Sequence, residues 1–106
     1  MIDIIEKINR VALPGTVIPK PRTKEHLVKE WSISAGERAL VYTMPNKNNP
    51  DKLDSKLIKE SDFRKSYYQL TTYGTFTKQW LKLNLPVLAK QGCNFTTIGG
   101  IFELLG

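Results

Sequence analysis

Chemistry-bearing residues are scarce in this chain. It has one cysteine, Cys93, and one histidine, His26, in 106 residues. A lone cysteine closes no internal disulfide, which agrees with a reducing compartment. A lone histidine excludes a several-histidine metal site within one chain, and no Cys/His spacing fits zinc. Neither the phosphate-loop spacing nor the three-glycine dinucleotide pattern occurs; Gly99-Gly100 stands alone. No apolar run approaches the length that spans a bilayer. The opening, "MIDIIEKINRVALPG", is broken by Asp3, Glu6 and Lys7, unlike the continuous apolar block of a signal peptide. The expectation is a soluble, cytoplasmic, non-enzymatic protein without cofactor or metal.

Acidic charge is also missing from one region. The chain carries 16 Lys and Arg against 10 Asp and Glu, a net charge of +6. Each half contributes +3, so there is no basic tail. Between Asp62 and Glu103 there is no carboxylate, while Arg64, Lys65, Lys78, Lys82 and Lys90 give +5. Such a balance permits contact with nucleic acid or acidic surfaces. The carboxylates Asp51, Asp54, Glu60 and Asp62 alternate with Lys52, Lys56 and Lys59. That mixture reads as a solvated surface rather than an acid–base pair.

The pattern of the remaining residues predicts one α+β domain. Ile4, Ile5, Ile8, Val11 and Ala12 recur at helical spacing and predict an amphipathic helix ended by Pro14-Gly15. A proline-rich connector bearing Lys20 and Arg22 completes residues 1–22. A small α+β domain then fills 23–106. Thr23 as N-cap with Leu27, Val28 and Trp31 predicts a helix over about 24–32, on whose surface His26 would be solvated. "ERALVYTM" predicts a strand over 37–44 and "PNKNNPDK" a loop. Ser61 and Thr75 are candidate caps for helices over 61–73 and 75–90, separated by Gly74. Phe63, Tyr67 and Leu70 face inward from the first, and Phe76, Trp80 and Leu83 from the second. Gly92 is a candidate C-cap. Cys93 opens a run that, with "IGGIF", predicts two short strands joined by Gly-Gly, the second run, "IFELL", being equally compatible with a helical turn.

Helix, strand, two helices around "QLTTYGTFTKQW" and a final hairpin form an order that resembles winged helix-turn-helix domains, over residues 23–106. The resemblance implies a short antiparallel sheet, winged-helix-like helices and binding of duplex DNA. Its recognition helix would be 75–84, with Thr75, Thr77, Lys78, Gln79 and Lys82 toward the major groove. Arg64, Lys65, Lys20 and Arg22 would add phosphate contacts. Tyr68 and Tyr73 are the aromatics left free to touch a ligand. The alternative is a protein-interaction or homodimerisation module with no nucleic-acid role. It rests on apolar surplus at the two ends, Ile4, Ile8 and Val11 at one and Ile101 and Phe102 at the other, through which a homodimer is expected under the DNA-binding reading as well.

Overall fold

The computed structural model describes residues 4–19, 26–46, 48–49, 51–90 and 92–105. At its centre is an antiparallel sheet in the order of the chain: β1 (Val17–Ile18), β2 (His26–Ser34), β3 (Glu37–Pro45) and β4 (Leu53–Lys59). β3 is the strand its β-branched and aromatic residues predict. β2 replaces the helix expected over 24–32. Its register explains the difference. Val28 pairs with Tyr42 and Trp31 with Leu40, so a bulge adds a residue to β2 between them. The bulge turns two residues three apart onto one face of the sheet. Both pack into the core, and their spacing therefore mimics a helical stripe. The turn that follows, Ala35-Gly36, has φ of 51° and 81°. Two left-handed residues between strands match the right-handed strand twist and close the β2–β3 hairpin.

β4 follows the expected loop "PNKNNPDK", in a stretch for which the sequence pattern predicts no strand. Residues Leu53 to Lys59 pair with Pro45 back to Ala39. Of the side chains on its inward face, Asp54, Lys56 and Ile58, only Ile58 is fully buried. The polar-in, apolar-out alternation hides the strand from a hydrophobic pattern. The loop before it is held by Asn46, whose Oδ1 accepts the N–H groups of Asn48 and Asn49 at 2.8 and 2.9 Å.

Helices α1 (Ile4–Val11), α2 (Glu60–Tyr73), α3 (Lys78–Asn84), α4 (Pro86–Ala89) and α5 (Gly92–Leu105) complete the described fold. None is long and apolar enough to cross a membrane. α1 is the expected amphipathic helix, with Ile5 and Ile8 buried. Gly74, at φ 77°, ends α2 by giving its N–H to Leu70 O at 2.8 Å. The cap residues differ from expectation. α2 starts behind Lys59, not Ser61, and α3 starts behind Thr77, not Thr75. Because 75–77 are not helical, the phase set by Phe76 does not carry through. Leu81 is buried in place of Leu83, which is 74% exposed. Pro86 breaks the expected 75–90 helix, and it occupies the first turn of α4, where its missing N–H costs nothing.

The tail is a helix, not a hairpin, and Gly92 begins α5 rather than capping α4. α5 lies on β1 and on α1, so the two apolar ends of the chain cover each other. Ile8 and Ile101 are fully buried in the same core, and Ile4 and Phe102 pack against it. The apolar surplus that suggested a homodimer is thus absorbed within one chain. The helix expected over 24–32 and the terminal hairpin were two of the elements behind the likeness to winged helices. The observed order is one helix, four strands and four helices.

The glycine pair gives the helical tail a direct test. A Cβ on Gly100 would lie 2.6 Å from Ile18 Cγ2 and against the Pro19 carbonyl oxygen, whereas one on Gly99 would meet open space. Thermal unfolding should show Gly100→Ala destabilised by about 1–3 kcal/mol through overpacking against fixed backbone. Gly99→Ala should be stabilised by about 0.5–1 kcal/mol as a helix interior gains alanine. A Gly-Gly hairpin turn would instead be damaged by both.

Candidate functional site

β4 is the edge strand of the sheet, and its outer edge is not paired by another strand among the described residues. The segment Asn84–Lys90 stands off this edge and leaves a groove of about 760 Å³. Its apolar lining comes from Val41, Leu57, Leu85, Val87 and Leu88. Leu57 is 42% and Val87 79% exposed, so much of this apolar surface meets solvent.

One part of the lining is the start of α2. The helix has no side-chain cap from Lys59, and its free N–H groups are met from elsewhere. Glu37, across the sheet on β3, accepts the Ser61 N–H at 2.9 Å. That bond holds the Glu37 carboxyl below its ordinary range. Burial holds the Asp62 carboxyl above its ordinary range, against the bond it accepts from the Lys59 N–H. Both carboxylates also feel the Lys59 charge. Both acids of the groove thus accept N–H groups at the start of α2. Lys56 and Lys90 also line it. The ion pair found among the described residues, Arg38 with Glu60 at 3.9 Å, involves neither of them.

A buried polar cluster backs the groove. Thr97 Oγ1 lies 2.7 Å from His26 Nδ1. The Tyr42 hydroxyl is 2.6 Å from Asn94 Oδ1 and 3.2 Å from Cys93 Sγ. Asn94 Nδ2 in turn donates to the Leu88 carbonyl at 3.0 Å. Burial first, and then the contact with Cys93, keep the Tyr42 phenol protonated well above its ordinary range. The cluster ties α5 to β2 and β3 through satisfied hydrogen bonds. Asn94 is its member that lines the groove. His26 and Cys93 correct two expectations. His26 is not a solvated helix residue but is 1% exposed on β2. Cys93 lies half-buried in α5, not in a strand.

Those residues expected to contact DNA that the structure describes are on the surface, and none of them lines the groove. Thr75, Lys78, Gln79, Lys82, Arg64 and Lys65 are exposed. Thr77 is exposed but engaged, accepting the Trp80 N–H at 3.1 Å as the cap of α3. Lys78 and Lys82 come together around a second cavity of about 180 Å³, floored by Leu81, Ala89 and Phe95. The Lys78 ammonium sits 5.9 Å from the Phe95 ring centre. Tyr68 and Tyr73 are exposed as expected. Lys20 and Arg22 lie outside the described residues. The carboxylates Asp51, Asp54, Glu60 and Asp62 form no metal cluster with other ligand residues among those described.

Sequence reasoning missed the groove because it missed β4. The available signal was the alternation of Leu53, Ser55 and Leu57 with charged residues. Nothing local singles out Asn94 or Lys90. Comparison with protein-family models, with curated proteins and with solved structures finds no match for this chain.

Two measurements check this geometry. Glu37 has a lowered folded pKa, so its stabilising effect is present above its ordinary value of 4.5 and is lost as pH falls through the lowered one. Urea unfolding should therefore show Glu37→Gln less stable than wild type near neutral pH. The difference should shrink toward zero on acidification. Asp62 acts with the opposite sign, its contribution being greatest below 3.8 and lost as pH rises through its raised value. Tyr42→Phe should cost about 1–3 kcal/mol, because it leaves buried Asn94 short of a donor.

Proposed function

We propose that this chain is a protein-interaction module without catalytic activity, which takes an extended segment of its partner in the groove along β4. The observation that carries this reading is the groove's position. An apolar trough lies beside a strand edge that no other strand covers among the described residues. Unpaired edge N–H and C=O groups accept an added strand, and the neighbouring lining sorts its side chains. Asn94 anchors the Leu88 carbonyl, so the far wall is held in place rather than free to collapse onto β4.

A second reading is binding of duplex DNA by the surface of α2 and α3. It draws support from Lys78 and Lys82 around Phe95, and from the absence of any carboxylate between Asp62 and Glu103. Counterion release would drive such binding and make it steeply salt-dependent.

Amide chemical-shift mapping separates the two. Seven-residue extended peptides of acidic, basic and neutral alternation should shift resonances of 53–59 and 84–90 for at least one member of the set. If none of them moves β4, the groove reading fails. A labelled random duplex, followed by fluorescence anisotropy, should bind weakly or not at all at moderate salt. Salt-dependent duplex binding that is lost in Lys78→Ala/Lys82→Ala would put the DNA reading first instead.

A further inference from the structure

The charges of the groove point to the chemistry of its occupant. Resting on the reading that an extended strand adds to β4, we infer that the strand is acidic, with Glu or Asp alternating with apolar residues. Successive side chains of β4 stand on opposite faces, so Lys56 and Leu57 look to different sides. Lys56 shares its face with Tyr42, its register partner, whose hydroxyl reaches Asn94. Leu57 shares the other with Val41. A strand paired to β4 presents alternate side chains to these two faces. Carboxylates meet Lys56 on one, and apolar side chains meet Leu57 on the other. Lys90, on the segment across the groove, supplies a second cation.

The lining as a whole keeps this preference, because it holds three lysines, Lys56, Lys59 and Lys90, and two carboxylates, Glu37 and Asp62. Glu37 is also occupied as acceptor of the Ser61 N–H at the start of α2.

The test uses the full chain and fluorescein-labelled peptides of seven residues. One alternates Val and Glu, one alternates Val and Lys, and one repeats the acidic sequence with backbone N-methylation at alternate residues. The acidic peptide should bind about tenfold more tightly than the basic one, two partly exposed charge contacts supplying the difference. The preference should weaken as salt rises, and N-methylation should abolish binding. Lys56→Glu/Lys90→Glu should reverse it, binding the basic peptide better. That reversal does not depend on absolute stability, and thermal unfolding confirms that the variant folds. Equal affinity for acidic and basic peptides, or a preference that survives the double reversal, overturns the inference while leaving strand addition standing. Failure of every peptide to move β4 amides removes strand addition itself.

Discussion

α5 can lie close to β1 because Gly100 has no side chain at the crossing. A methyl group there would strike Ile18 and the Pro19 backbone. From this contact the helix reaches α1, α2, α4 and β4. It brings Ile98 and Ile101 into the same cluster as Ile5, Ile8 and Ile18. The first and last described helices thereby close one core. Burial of each such aliphatic side chain is worth about 1.5–3 kcal/mol, so the closure is a large part of what a chain of this size can assemble.

The same helix sets the groove. Its buried face carries Asn94 and Thr97, which bond Tyr42 and His26 on the sheet. A buried polar group left unpaired costs more than a bond gains, so these pairs fix the helix in one position along the strands. Asn94 then fixes α4 through the Leu88 carbonyl. The distance between Asn84–Lys90 and the β4 edge follows from a hydrogen-bonded chain running through the core, not from loop chemistry. The groove is consequently held by the core beside a strand edge that no other described strand pairs.

Several elements were legible from local pattern alone. The α1 stripe, strand β3 and helix α2 with its glycine stop each rest on residues whose preferences agree with the final fold. Other elements were concealed for distinct reasons. In β2 a bulge placed Val28 and Trp31 on one face, imitating a helical period. In β4 the inward residues are mostly polar because the strand lies at an edge, so its alternation runs against the usual sign. In α5 two glycines resembled a hairpin turn, yet one of them is there for helix-to-strand contact. The basic residues of α2 and α3 were correctly placed on the surface, while the lysines beside the groove, Lys56 and Lys90, carried no local mark.

The sequence by itself determined that this is an α+β chain with a basic helical region, without the residues for a multi-histidine metal site or an internal disulfide. These properties depend on composition and on neighbours a few residues apart. Tertiary structure alone decided which lysines line the groove, because Lys56, Lys59 and Lys90 reach it from separate segments. It also decided that the chain's two apolar ends meet each other and that an edge strand faces a trough. Those outcomes join residues far apart in the chain, as with His26 and Thr97, and no periodicity within a single segment encodes them.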